Sequence, residues 1–507
     1  MDKDNKRLII TVILSGISTF LGYLINFLLT PYITDLVGID AYGFVSIAKT
    51  AVSYASIATV ALTTFVVRFI SVDYLKKDYK SSNVYYSSSI IACLVLSLII
   101  FFVACIITTK LDTLLNIPDA LTGSVKILFL LVFLNFGLTT IATPYSSSFF
   151  IKNRLDYSNI IKIIAYIIDA VTLIILFSAF QADIWFVGVG SCTSALFTLA
   201  GNIYLTKKLT PELKYSKRNF SIKKIKEILS NGIWQSINSL GNVLNSGLDL
   251  IVSNQFLSAV QTGQIAVVKT IGSMFTVLYT VVSQPFQPRL LKTYSSNNKE
   301  SFIYEMKKSM KICGCLSNIA FAGFVALGNL YYRLWLPNQN NELLYWLTVI
   351  TVFQSITEGY AYPIYYVYTL TLRKKVPCFM TILGGLLNVG AMVVLLNYTD
   401  MGSYAIVITT AVIMTGMNLV FNPMYSMKCL GLKVTTLFPT ILRHIISAAV
   451  MTIVFIGVAH ITSPGSWGGL ILSACIMAFC GIIIHFVSVG DKHDFEKVIL
   501  FVKHRLR

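Results

Sequence analysis

Fourteen stretches of roughly 17 to 25 predominantly apolar residues, each bounded by charge, glycine or proline, follow one another along this sequence. They fall at 8–30, 42–70, 84–108, 124–150, 157–180, 184–206, 230–256, 264–289, 310–334, 344–371, 376–397, 403–427, 441–462 and 466–488. A chain patterned this way is an all-α integral membrane protein with 14 transmembrane helices. The composition agrees: 55% of the 507 residues are hydrophobic, 12% are charged and the mean hydropathy is +0.73. The first run is too long for the core of a signal peptide and lacks a small-residue cleavage site, so it reads as a retained span.

The formal charge of +18 would suggest nucleic acid in a soluble protein. Its distribution excludes that reading. With the N-terminus placed in the cytoplasm, 35 of the 40 lysines and arginines fall on cytoplasmic segments and span ends, and only Lys110, Lys126 and Arg333 fall outside. This is the positive-inside asymmetry, and it predicts cytoplasmic N- and C-termini and attraction to an anionic inner leaflet. The outer loops are short, the longest covering 109–123, so no extracytoplasmic domain is expected. The nine cysteines lie almost entirely inside apolar runs and read as small buried residues. The five histidines, His444, His460, His485, His493 and His504, show no ligand spacing, and no metal or cofactor is predicted.

The two remaining cations, Lys49 and Lys269, lie inside spans. They also repeat. Gly43-x5-Lys49-Thr50 matches Gly263-x5-Lys269-Thr270 at nearly the same offset at which Gly22-x3-Asn26 matches Gly241-x3-Asn245, Pro144-x9-Arg154 matches Pro363-x9-Arg373 and Asn202 matches Asn422. The chain therefore reads as two six-helix bundles of one orientation, related by a pseudo-two-fold axis along the membrane normal, with a cavity expected between them. The expected organisation is an N-terminal bundle at 1–206, a cytoplasmic amphipathic linker at 207–229, a C-terminal bundle at 230–428, an extra helix pair at 429–490 and a basic amphipathic tail at 491–507. Pro144 and Pro363 each remove a backbone hydrogen bond, so they predict a kink, and are candidate hinges.

An ionisable group at hydrocarbon depth is costly, and it marks a cavity or a partner. Asp169, Asp249 and Glu358 join the two lysines in this class. Internal ion pairing, for example between Asp249 and Lys269, is one reading of the set. Against it, a buried pair stabilises weakly once desolvation is counted, and the first half has no acid matching Asp249. Net positive charge favours an anionic ligand, and an ammonium is a workable point-charge partner for phosphate. Asn26 and Asn245, repeated in the first span of each half, are further candidate ligand-binding residues. So are Tyr360 and Tyr362 in Glu358-Gly-Tyr-Ala-Tyr-Pro363, because tyrosines stack on sugar faces and donate hydrogen bonds. Tyr365, Tyr366 and Tyr368 read instead as an aromatic belt near the cytoplasmic interface. Arg68, Arg154, Arg289 and Arg373, at cytoplasmic span ends, are candidates for the entrance.

The six-plus-six repeat, the extra helix pair, the segment Gly38-x3-Tyr42-Gly43 and the basic residues within the bundle resemble the multidrug/oligosaccharidyl-lipid/polysaccharide (MOP) exporter superfamily, specifically its flippases of the O-antigen and capsule (Wzx) type. The resemblance covers essentially the whole chain. It implies a non-enzymatic protein of the bacterial cytoplasmic membrane that moves undecaprenyl-pyrophosphate-linked oligosaccharides between leaflets by alternating access through a cationic cavity. It also implies membrane lipids, a polysaccharide polymerase and chain-length machinery as partners. Multidrug exporters of the superfamily usually have twelve spans and an acid-dominated site, so the extra pair and the lysines favour the polysaccharide branch. An ion-coupled drug or cation antiporter, with Asp169, Asp249 or Glu358 as the coupling group, is the alternative, as is a flippase for the lipid-linked peptidoglycan precursor. A glycosyltransferase or polymerase is disfavoured by the short outer loops. No phosphate-binding loop is present, so an ion gradient or the membrane potential is the expected energy source.

Overall fold

The computed structural model describes residues 3–490 with the exception of 297 and 374. The described residues form helices and no strand. Those of eight residues or more are α1 (Lys3–Val37), α2 (Ile39–Leu75), α3 (Tyr79–Thr109), α4 (Thr122–Ala142), α5 (Leu155–Ala179), α6 (Phe186–Leu209), α7 (Ile222–Ser246), α8 (Asp249–Phe256), α9 (Ala259–Ser283), α10 (Phe286–Ser295), α11 (Lys299–Trp335), α12 (Asn341–Phe353), α13 (Ser355–Leu370), α14 (Lys375–Tyr398), α15 (Ser403–Gly416), α16 (Asn422–Cys429), α17 (Phe438–Thr462) and α18 (Trp467–Val489). Side-chain caps sit where polar residues precede apolar runs: Asp78 accepts from Ser81 N at 3.0 Å, Asn298 from Ser301 N at 2.9 Å and Asn340 from Leu343 N at 3.1 Å.

Among the described residues twelve helical segments are long and apolar enough to cross a membrane, so the protein is a multi-pass membrane protein. The two other predicted spans are built differently. Residues 230–256 divide into α7 and α8 at Gly247-Leu248, and residues 344–371 divide into α12, of 13 residues, and α13, of 16, at Gln354. The amphipathic helix expected in the linker is not separate from the seventh span: Ile222 to Ser246 is one helix. The tail expected over 491–507 lies outside the described residues.

The chain divides into two compact units, Met1–Ala266 and Val267–Arg507. In the first, α1 and α2 are joined by Gly38 alone, at φ +90°, a conformation that side-chain-bearing residues rarely adopt. The C-terminal half of α2 packs Leu62, Val66, Ile70 and Tyr74 against Tyr85, Tyr86, Ile90 and Cys93 of α3 and Ile228 of α7. The linker is stapled to this face. Asn83 Nδ2 donates to the Glu212 carbonyl at 3.0 Å, and the Ser87 and Ser88 hydroxyls accept from Ser216 N and Ser221 N at 3.1 and 2.9 Å. The Tyr74 hydroxyl, donating to Glu212 Oε2 at 2.6 Å, holds that carboxyl below the usual carboxylate range.

In the second unit, α11 is the central helix. It packs against α12 and α13 and against both members of the extra pair, α17 and α18, which also pack on each other. One apolar cluster joins Ala322 and Leu327 of α11 to Met451 and Phe455 of α17 and Met477 of α18. The two prolines behave differently. Pro144 opens a 3₁₀ turn, Pro144–Ser146, that interrupts the fourth span, whereas Pro363 lies inside α13, whose break comes earlier at Gln354.

Candidate functional site

The start of α2 is buried on almost every side: Ala41, Phe44, Val45, Ile47 and Ala48 are all at most 2% exposed. Lys49, the next residue, is exposed. What buries this turn is a contact between the two repeated glycine motifs. A Cβ on Gly43 would lie 2.9 Å from Gly263 N and 3.0 Å from Gly263 Cα, and a Cβ on Gly263 would overlap the Ile39 carbonyl. The two backbones therefore touch, which only glycine allows here; small residues serve this purpose at helix contacts in membranes generally. Lys49 follows Gly43 by the spacing with which Lys269 follows Gly263, and Lys269 is half-buried in its own unit.

A second seam runs along the same helix. The Tyr54 hydroxyl donates to the Gly247 carbonyl at 2.8 Å, Ser236 Oγ to the Ile57 carbonyl at 2.6 Å, and a Cβ on Gly232 would overlap the Ala61 carbonyl. Tyr54 thereby occupies an acceptor freed where α7 breaks, the condition for irregular backbone inside a membrane. The break places Asp249 in the first turn of α8, buried, and within electrostatic reach of Tyr54. The helix dipole favours an acid at that position. The loop around Asn116 is clamped to the same short helix, with Asn116 N donating to Asn254 Oδ1 at 2.9 Å and Asn116 Nδ2 to the Asn254 carbonyl at 2.8 Å.

Asp169 of α5 is half-buried and interacts electrostatically with Lys49, so the structure brings two of the five intramembrane charges into one neighbourhood. Gly190 of α6 makes room for it: a Cβ there would lie 2.5 Å from Asp169 Oδ1. Asn26 is exposed and donates to its own helix at Gly22 O, 2.8 Å away. The side chain of Asn245 lies outside the described residues.

In the second unit, the break at Gln354 puts Glu358 in the first turn of α13, as Asp249 is in α8. The Thr276 hydroxyl donates to Glu358 Oε1 at 3.4 Å, and Tyr362 hydrogen-bonds the same carboxyl. The following tyrosines do not form an outward belt. Tyr365 donates to Asn418 Oδ1 at 2.6 Å, Tyr366 pairs with Ser283 Oγ at 3.3 Å and Tyr368 donates to Asn422 Oδ1 at 2.9 Å. Asn418 sits on a single π-helical turn, Met417–Phe421, and accepts from Asn422 Nδ2 at 3.1 Å. Such turns insert one residue into the helix and are frequent at functional sites. Tyr360 parts from Tyr362: it is fully buried in an apolar cluster with Met306, Met310, Ile364 and Ile441.

Among the arginines that are candidates for an entrance, Arg68, Arg289 and Arg373 are exposed. Arg154 is engaged, with Nη2 2.9 Å from Asp156 Oδ2 and its guanidinium 3.7 Å over the Tyr157 ring. Among the described residues no group of three His, Cys, Asp or Glu side chains could hold a metal.

Three comparisons bear on this arrangement. The chain is 26% identical over 471 residues, 93% of each chain, to an uncharacterized membrane protein, EpsK, of Bacillus subtilis (strain 168). Its fold is similar to a lipid II flippase, MurJ, in an inward closed conformation, with a TM-score of 0.68 at 15% identity over 98% of this chain and 100% of that one. It is also similar to a multidrug resistance MATE transporter of the MOP superfamily in an inward-facing conformation, with a TM-score of 0.62 at 14% identity over 85% of this chain and 99% of that one. The model of the family described as polysaccharide biosynthesis protein matches residues 10–293, more than half of the chain. The protein belongs to that polysaccharide biosynthesis family and carries the fold of the MOP-superfamily transporters.

Proposed function

We propose that the protein is a flippase that moves an oligosaccharide linked to undecaprenyl (pyro)phosphate from the inner to the outer leaflet of the bacterial cytoplasmic membrane by alternating access. It serves synthesis of a surface polysaccharide of the O-antigen or capsule type. The observation that carries the reading is Lys49: an exposed ammonium within a membrane span, at the end of a helical turn otherwise buried by a glycine–glycine contact. A cation left open at such a site suits an anionic headgroup. Lys269, at the matching position of the repeat, is assigned the same role, and Tyr362 and Asn26 are assigned to the sugar. Charge asymmetry supports cytoplasmic termini, with Arg68, Arg289 and Arg373 at the entrance.

Two further readings have an observation each. Asp249 and Glu358 at the starts of half-helices are arranged as coupling groups of an ion-driven drug antiporter would be. Against it, the MATE neighbour covers 85% of this chain while the MurJ neighbour covers 98%. The MurJ neighbour in turn favours a peptidoglycan-precursor flippase. Deletion of the gene and complementation with Lys49→Ala and Lys269→Ala separates the three. The flippase reading expects loss of surface polysaccharide, accumulation of a lipid-linked glycan, and no rescue by either variant despite normal membrane levels. Drug sensitivity with intact surface glycan supports the antiporter, and lysis on depletion supports the precursor flippase.

A further inference from the structure

The extra helix pair of the second unit carries a buried polar cluster. His444 of α17 and His485 of α18 meet against α11 with ring centroids 5.0 Å apart. His485 is anchored: Nε2 lies 2.9 Å from the Lys311 carbonyl and Nδ1 3.2 Å from Ser447 Oγ. A carbonyl only accepts, so Nε2 carries the proton, and in the neutral ring Nδ1 accepts from the Ser447 hydroxyl. His444 is not anchored. It is 0% exposed, and neither ring nitrogen has a hydrogen-bond partner. Tyr360 of α13 stacks on its ring at 5.8 Å, and the Tyr360 hydroxyl is also buried without a partner. Gly314 of α11 clears the space, since a Cβ there would lie 2.5 Å from His444 Nδ1. Asn318 of α11 donates to the His444 carbonyl at 2.9 Å but leaves its own Oδ1 unpaired.

Several unmatched polar atoms around one imidazole are unusual, because native interiors pair such groups. A packing role alone would be met better by an apolar ring of the same size. The groups facing His444 are His485 from α18, Lys311 from α11 and Tyr360 from α13, and its charged neighbour is an ammonium rather than a carboxylate. The neutral ring fits this packing. A proton added to the lone pair of a ring nitrogen would set an imidazolium beside Lys311, and moving the ring away from that ammonium disturbs the Tyr360 ring stacked on it and the helix that carries it. That helix is α13, which rides on α11 where a Cβ on Gly359 would lie 3.0 Å from the Cys313 carbonyl, and which carries Glu358 and Tyr362 on either side of Tyr360.

We propose that His444, together with His485 and Tyr360, is the binding site of a coupling proton, and that its occupation releases α13 from α11 and α17. The proposal rests on the transport reading above, but its test needs no substrate, so the two fail separately. The full-length protein, labelled with ¹³C at histidine Cε1 and held in lipid nanodiscs, is titrated from about pH 8 to about pH 4, a window that extends below the range in which free imidazoles change charge. The His444 signal is assigned by elimination from substitutions of the other four histidines. Hydrogen exchange of Ser355–Leu370, corrected for intrinsic rates, is followed in parallel. The His444 signal is expected to shift on acidification while exchange of α13 rises at least about threefold, and His444→Phe is expected to abolish the exchange response. A His444 signal unchanged across the range overturns the proposal, even if His444→Phe does not fold. So does an α13 response as large in His444→Phe as in the wild type.

Discussion

Lys49 and Glu358 are ionisable groups within predicted spans, one in each unit, and they are held in opposite ways. The turn before Lys49 is locked by backbone contact between Gly43 and Gly263, and the ammonium that follows is left open. Around Glu358 the backbone is broken at Gln354, the carboxyl is bonded to Thr276, and Tyr365, Tyr366 and Tyr368 are tied to Asn418, Ser283 and Asn422. A rigid scaffold presenting an exposed charge suits ligand capture. A hydrogen-bonded network on a broken helix suits a part that changes partners, because its bonds can be exchanged one for another.

The largest expected effect breaks the rigid side of this contrast. Gly263→Ala drives a methyl group into the Ile39 carbonyl, and overpacking of this kind costs about 1–3 kcal/mol or more. A lower unfolding temperature and loss of surface polysaccharide are expected, read by thermal denaturation in detergent and by glycan staining. Wild-type stability would show that the glycine contact is not needed. Glu358→Gln comes next. It keeps an acceptor for Thr276 and Tyr362 but removes the charge, so folding should be preserved while transport falls roughly tenfold, equivalent to about 1.4 kcal/mol. An unfolding temperature that drops as far as in Gly263→Ala would assign Glu358 to stability instead. Tyr365→Phe removes one hydrogen bond to the π-helical turn, a loss of about 0.5–1.5 kcal/mol, and is expected to shift unfolding by a few degrees at most.

The smallest effect lies outside the membrane. Glu212 has a folded-state pKa lowered by Tyr74, so this tether contributes fully above the ordinary carboxylate range and is lost as pH falls through the depressed value. Exchange of the linker residues 210–221 should therefore rise only on acidification below that range, and Tyr74→Phe should remove the pH dependence. An unchanged profile in Tyr74→Phe would place the tether in the serine contacts of α3 alone.

Much of the helical plan is legible in the sequence because a membrane span must be long and apolar, and twelve of the predicted runs satisfy both conditions in the structure. The two broken spans are not legible. Gly247 and Gln354 lie among other polar or small residues of their runs, none of which marks the break by itself, and nothing local announces that Tyr54 will take the carbonyl freed at Gly247. The linker was hidden for a related reason, since the amphipathic pattern from Ile222 continues without a stop signal into the seventh span. The two glycine-lysine motifs are legible as a repeat, whereas their mutual contact at Gly43 and Gly263 is a product of packing. The histidine pair is the clearest case. His444 and His485 have no sequence spacing that suggests a site, and they meet only because α17 and α18 both lie on α11.

The central claim is that Lys49 and Lys269 capture the anionic headgroup of a lipid-linked glycan, and reconstituted translocation tests it most directly. Purified protein in liposomes is given a polyprenyl-pyrophosphate oligosaccharide, and its arrival in the opposite leaflet is read by an added glycosidase. The wild type is expected to move it, Lys49→Ala and Lys269→Ala each to lose at least about tenfold in rate, and Lys49→Arg to retain more than Lys49→Ala. Equal rates for the wild type and the double alanine variant would contradict the account.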